Sequence, residues 1–141
     1  MSSGAHLRHV GIRSRDIPRT AEFYAKVFGL AVVEAPLSGQ GAVLSDGVMN
    51  VTIVPVVEEP VTSVPFTEGS EPIHLGFVVD DLAATFRACQ ELGAPILAGS
   101  IGRDPVIPGV IPTHSFKVAD PNGNVVDIIA DPHHWKGTRI D

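Results

Sequence analysis

Alternating apolar and polar residues are followed by apolar residues at helical spacing, and this order occurs twice along the chain. Around residues 7–12 the alternation predicts a strand. Residues 19–30 carry a helical apolar face, and Gly29 suits the end of a helix. Residues 81–93 repeat that pattern and end at Gly93. Short β-branched stretches follow each helix, so the pattern predicts two units, each with a strand, a helix and three further strands.

The repetition is also visible residue by residue. His9-Val10-Gly11-Ile12 returns as His74-Leu75-Gly76-Phe77, and the two histidines are 74 − 9 = 65 residues apart. Asp16 and Asp81 match at the same offset. Because the copies are long and number only two, a solenoid is excluded. We predict an α+β fold of two βαβββ modules in a pseudo-two-fold arrangement.

Turn residues close each module before its last strand. They are Ser45-Asp46-Gly47 in the first copy and Asp120-Pro121-Asn122-Gly123-Asn124 in the second. The predicted domain spans residues 1–141, with module one at about 5–57, a linker at about 58–71 and module two at about 72–132.

Composition limits the class of protein. A chain of 141 residues fits one domain, but each half alone would be marginally stable. The single cysteine, Cys89, lies on the apolar face of the second helix, which favours core packing in a reducing cytoplasm. No signal peptide or membrane span is expected. A net charge of −6 with scattered basic residues argues against nucleic acid as a partner.

Two histidines lie at matched positions on the first strand of each module. Strand side chains alternate between faces, so His9 shares a face with Gly11, and His74 shares one with Gly76. A glycine beside each imidazole leaves open space. A single histidine near a strand end is most often a surface residue with one hydrogen bond, but two in matched positions indicate a shared site.

Asp127 is the third informative residue, because its neighbours in the last strand are β-branched and apolar. A carboxylate buried there needs a metal, a cationic partner or full hydrogen bonding. A structural ion pair with an arginine is one interpretation. The other is that two histidines and one carboxylate form the facial triad of non-haem Fe(II) enzymes, a set that also holds Zn, Mn, Ni or Co.

These motifs resemble the vicinal oxygen chelate superfamily, also called the glyoxalase/bleomycin resistance/dioxygenase superfamily, along nearly the whole chain. The resemblance rests on both His-containing strands, on Phe23-Tyr24 and Phe28-Gly29-Leu30, and on the Asp-Pro-Asn-Gly-Asn turn. It implies a cup-shaped mixed sheet around a divalent metal. It also implies His9, His74 and Asp127 as the metal ligands, and a small oxygen-rich substrate that is partly aromatic or aliphatic.

Thr52 stands where glyoxalase-like members carry a fourth ligand, and we expect it to contact substrate instead. A set of two histidines and one carboxylate fits a ring-cleaving dioxygenase-like enzyme with Fe(II). Glyoxalase-like lyase or isomerase chemistry is an alternative, in which Asp127 or a water acts as base. A metal-free drug-binding protein of the bleomycin resistance type is a third possibility, although such members usually lack the histidines. The resemblance also implies a homodimer.

Other polar residues near the second module complete the set of predictions. His114, in a strand predicted over residues 113–118, is the candidate catalytic base, with an exposed strand histidine as the alternative. The Gly- and Pro-rich residues 98–112 predict either a lid, with Arg103 contacting an anionic substrate group, or a packed loop or dimer contact. His133 and His134 point to opposite sides of an extended tail, in which we expect Trp135 to cap an edge.

Overall fold

The computed structural model describes residues 8–35, 41–56, 74–97 and 107–136, and the chain divides into two compact units, Met1–Glu58 and Glu59–Asp141. The first unit contains β1 (His9–Ser14), α1 (Ile17–Phe28), β2 (Ala31–Glu34), β3 (Ala42–Ser45) and β4 (Asn50–Pro55). The second contains β5 (His74–Val78), α2 (Leu82–Glu91), β6 (Ile96–Leu97), β7 (Ser115–Ala119) and β8 (Val125–Ile129). Each unit therefore has the predicted βαβββ order, and the predicted α+β fold class is confirmed. No helix in the described part of the chain is long and apolar enough to cross a bilayer.

The first unit is a four-stranded mixed sheet in the order β1-β4-β3-β2. β1 and β4 are parallel, and the other neighbours are antiparallel. In this register Gly11 lies opposite Thr52. One face of the sheet is buried by the side chains of Ala42, Leu44 and Ile53, each 0% exposed. The other face, with His9 and Gly11, carries the candidate site.

Capping residues lie at both ends of helix α1. The carboxylate of Asp16 accepts a hydrogen bond from the backbone N–H of Arg19 at the first turn. Gly29 ends the helix in the left-handed conformation, with φ of 70°, where a side chain would be strained. The buried rings of Phe23 and Tyr24 pack edge to face with centroids 5.1 Å apart, so Tyr24 is a core residue.

The second unit repeats this arrangement in the order β5-β8-β7-β6. Gly76 lies opposite Asp127, the same place that Thr52 takes opposite Gly11. Helix α2 starts at Asp81, whose carboxylate accepts from the N–H of Ala84, and its Phe86 ring packs on Phe116 of β7 at 5.2 Å. Cys89 is fully buried, in agreement with core packing.

Element bounds differ from the predictions by a few residues, because helical caps lie just outside the apolar pattern. The helix expected over 19–30 runs from Ile17 to Phe28, and the helix expected over 81–93 runs from Leu82 to Glu91. The strand expected over 113–118 begins at Ser115, so His114 precedes β7 and does not lie within a strand. The predicted linker, and residues 98–106 of the predicted lid with Arg103, lie outside the described residues. In the described remainder of that segment, the N–H of Val110 donates to the carbonyl of Ile107 in a turn, and both side chains are exposed.

Candidate functional site

The first open face is the side of the first sheet that carries His9, Gly11, Asn50 and Thr52. Nδ1 of His9 lies 2.7 Å from Oδ1 of Asn50. The hydroxyl of Thr52 donates to the same oxygen at 2.6 Å. A Cβ added at Gly11 would lie 4.0 Å from Nε2 of His9, an ordinary contact distance, so the space predicted beside this imidazole is present. Thr52 therefore has a protein partner for its hydroxyl.

The second open face is the equivalent side of the second sheet, with His74, Gly76, Lys117 and Asp127. Lys117 lies directly opposite Asp127 across the β7–β8 pair, and Nζ of Lys117 is 2.9 Å from the carboxylate. Both side chains are only 13% exposed. The buried carboxylate of Asp127 is therefore paired with a lysine. The sequence had suggested either a metal or an ion pair with an arginine. The side chain of His74 is exposed, and its imidazole has no hydrogen-bond partner among the described residues.

Trp135 covers Gly76 on this face. A Cβ added at Gly76 would lie 2.5 Å from Cη2 of Trp135, closer than real atoms approach, so the indole rests directly on the glycine backbone. The open space predicted at Gly76 is therefore filled, and that prediction is wrong. The expectation that Trp135 caps an edge is corrected as well, because its ring lies on the face of the edge strand β5. The absence of a side chain at residue 76 allows this approach.

A cavity of about 470 Å³ lies at the end of β7 and β8 in the second unit. Its walls include the imidazoles of His114 and His134 and the hydroxyl-bearing Thr113 and Ser115; the remaining lining residues are Ile129, Ala130 and Asp131. A turn in the tail positions His134, because its backbone N–H donates to the carbonyl of Asp131 at 3.2 Å. Its volume is within the range of small-molecule sites, although most of its lining residues are polar.

The predicted metal ligands do not fit a metal centre as they stand. His9 leaves one ring nitrogen toward open space, as ligation requires. Asp127 does not fit, because a lysine ammonium holds its carboxylate. In the described ranges, no group of three or more His, Cys, Asp or Glu side chains is placed to hold a metal ion. The ligand set and the catalytic role of His114 stay predictions.

Two residues beside these groups, Asn50 and Lys117, were not predicted from the sequence, and Trp135 was predicted only as an edge cap. Lys117 had a usable signal, because Lys117 and Asp127 each lie five residues from Asn122, the middle of the predicted turn. A hairpin centred there places them opposite each other. Asn50 is two residues before Thr52 and so shares its face, which is also readable from the alternation. The position of Trp135 had no local signal.

Comparison with solved structures shows the same fold in proteins of low identity. An integron cassette protein, VCH_CASS1, from the mobile metagenome of V. cholerae is 24% identical with a TM-score of 0.61, and 92% of this chain and 98% of that chain are covered. Oxidase ChaP-H2 is 23% identical with a TM-score of 0.65, over 94% and 98% of the two chains. A lactoylglutathione lyase from Agrobacterium tumefaciens is 19% identical with a TM-score of 0.57, over 92% and 96%. These likenesses support the fold alone.

Comparison with protein families shows which family this chain belongs to. No curated protein matches the chain significantly. A family model does match, over residues 6–128, which is most of the chain and includes both histidine strands and the last strand up to Ile128. The predicted resemblance is thereby confirmed. The chain belongs to the Glyoxalase/Bleomycin resistance protein/Dioxygenase superfamily.

Proposed function

We propose that the protein binds a small, partly aromatic organic molecule without a divalent metal. The observation that carries this proposal is the ion pair between Lys117 and Asp127. A divalent cation on Asp127 would have to replace the lysine ammonium. Lys117 would then stay nearly buried beside a second cation, with no carboxylate to neutralise it. The second open face is therefore suited to a neutral organic ligand.

The proposed ligand site lies beside this ion pair. The indole of Trp135 offers an aromatic surface, and its edge meets the His134 ring with centroids 5.6 Å apart. His134 and His114 line the adjoining cavity, where hydroxyl groups supply further hydrogen bonds. Ile129 and Ala130 add apolar contacts beside these groups, a mixed lining in which placed polar groups orient a small ligand. We assign His114 to ligand binding in this proposal.

Metal analysis tests the proposal directly. The protein, purified without a His tag, is treated with Fe(II), Mn(II), Ni(II) or Zn(II), and bound metal is measured after dialysis. We expect no stoichiometric metal, and no change in thermal stability on adding EDTA, since a bound metal would stabilise the fold by linkage. A planar aromatic panel is then titrated against tryptophan fluorescence with and without EDTA. Near-stoichiometric metal that is lost in both His74→Ala and Asp127→Asn would overturn the proposal.

A metal-dependent enzyme is the second candidate, favoured by the open ring nitrogen of His9 and by His74 at the matched position. A bound divalent metal would polarise the oxygens of a small substrate. In that case stoichiometric iron would favour dioxygenase-like chemistry on catechol-type substrates. Zinc, nickel, cobalt or manganese would favour glyoxalase-like lyase or isomerase chemistry instead.

The assembly and location of the protein stay predictions. We infer a homodimer in the cytoplasm, from the family resemblance and the single buried Cys89. Light scattering at several protein concentrations checks the dimer, and fractionation of the producing cells checks the compartment. A monomer at every concentration would contradict the first inference.

A further inference from the structure

Three polar side chains on the first open face form a connected set that the proposed function does not use. Oδ1 of Asn50 lies 2.7 Å from Nδ1 of His9 and 2.6 Å from the Thr52 hydroxyl oxygen. We propose that, on this face, Nε2 of His9 accepts a hydrogen bond from the hydroxyl of a small neutral molecule. Asn50 is the positioning residue that keeps the imidazole proton on Nδ1.

The distance between Asn50 and the Thr52 hydroxyl shows whether the amide oxygen or the amide nitrogen of Asn50 lies between His9 and Thr52. An O–H···O bond is commonly 2.5–3.0 Å long, whereas an N–H···O bond is rarely below about 2.7 Å. The 2.6 Å contact to Thr52 therefore fits the amide oxygen and not the amide NH₂ group. An oxygen with two lone pairs accepts from both neighbours. Nδ1 of His9 must then be a donor.

The position of that proton determines what the other nitrogen does. A neutral imidazole carries one proton, so a proton on Nδ1 leaves a lone pair on Nε2. Nε2 lies beside Gly11, which has no side chain to cover it. The hydroxyl of Ser45, on the same face, donates to the carbonyl of Met49 and does not compete. Nε2 is thus a fixed, accessible acceptor.

The chemistry of this acceptor selects the ligand. One neutral lone pair recognises a single hydrogen-bond donor and does not attract an anion. In the described part of the chain, His9 is not accompanied by the further His, Cys, Asp or Glu side chains that a cation site would need. Arg13, on the same face of β1, donates from its guanidinium to the carbonyl of Pro55 at 3.2 Å. A hydroxyl group on a small neutral molecule fits best.

Nitrogen-15 NMR of the histidine side chains tests the positioning role, at a pH where the imidazoles are neutral. We expect the Nδ1–H form for His9 in the wild type and in Asn50→Asp, since the carboxylate accepts in the same way. Asn50→Leu should move His9 to the Nε2–H form that free imidazoles favour in water. His74 is the internal reference, because it lies at the matched position and its imidazole has no partner in the ranges that the structure describes. An Nε2–H form in the wild type, or no change in Asn50→Leu, would overturn the inference.

Phenol and anisole test the ligand chemistry, because they share a ring and differ in the donor hydroxyl. We expect phenol to shift the Nε2 resonance of His9 in a saturable way and anisole to leave it unchanged. Asn50→Leu should weaken phenol binding at this site about fivefold, because His9 must then return its proton to Nδ1 before Nε2 can accept. Equal shifts with both compounds, or unchanged phenol affinity in Asn50→Leu, would count against the site.

Discussion

Replacing Lys117 by methionine should reveal how strongly the second open face depends on its ion pair. The N–O distance of 2.9 Å corresponds to roughly 6 kcal/mol of attraction at an effective dielectric constant of about 20. Desolvation of both charges offsets much of this attraction. Lys117→Met removes one charge and leaves the Asp127 carboxylate nearly buried and unpaired. We expect it to lower the free energy of unfolding by about 2–3 kcal/mol, below the cost for a fully buried pair because 13% of each side chain is exposed.

A double-mutant cycle separates the pair from the rest of the sheet. Lys117→Met, Asp127→Leu and the double variant are unfolded in denaturant and followed by the fluorescence of Trp135, the single tryptophan of the chain. Trp135 lies in the same unit, so its signal reports that unit. The double variant should recover to within about 1 kcal/mol of the wild type, because apolar residues of similar volume replace a buried pair at little cost. If Asp127→Leu costs as much as Lys117→Met, the coupling energy should be about 3–5 kcal/mol.

The exposed pair between Lys26 and Glu22 is the matched control. Its side chains are 62% and 49% exposed, so Lys26→Met should cost below about 0.5 kcal/mol by circular dichroism. A high salt concentration should weaken this pair more than the buried one. A neutral Lys117→Met variant, or a double variant as unstable as both single changes combined, would refute the ion pair and with it the reason for a metal-free site.

Gly76→Ala should displace the Trp135 ring and shift its fluorescence, and it should lower the free energy of unfolding by about 1–3 kcal/mol. Gly11→Ala, at the matched position, should be close to neutral. Equal effects of the two substitutions would contradict the packing of Trp135 on Gly76. Asp120→Ala removes three hydrogen bonds that the carboxylate accepts within the turn. The free energy of unfolding in denaturant should fall by about 2–3 kcal/mol, and a fall below about 0.5 kcal/mol would show that the turn does not need these bonds. Burial raises the pKa of the Cys89 thiol from 9.0 to about 11, because the buried site disfavours the charged thiolate. The stability that the buried neutral thiol contributes is therefore present below pH 9 and is lost as the pH rises toward 11. Unfolding at several pH values, with Cys89→Ala as control, checks this sign, and identical pH profiles would disprove it.

Local patterns in the sequence were sufficient for the fold. Helical and alternating spacings repeat within a few residues, so they show where elements form and which side chains share a face. The matched Asp16 and Asp81 cap the two helices, a role that the sequence comparison did not assign to them although Asp is common at helix starts. The turn at Asp120 joins β7 to β8 where turn residues predict it. The faces of His9 and Asp127 also follow from alternation.

Only the tertiary structure decided how the site residues are partnered. Burial of Asp127 demanded a counter-charge, but a metal, an arginine or a lysine would each satisfy that demand, and pairing of β7 with β8 selected Lys117. Trp135 is 59 residues from Gly76 in sequence, and nothing in the local pattern connects them. Spacing along a chain determines the direction of a side chain, whereas its partner depends on which distant segments fold against it. The sequence by itself therefore determined two βαβββ units and their polar faces, and the packing of neighbouring strands and of the tail decided what those faces can bind.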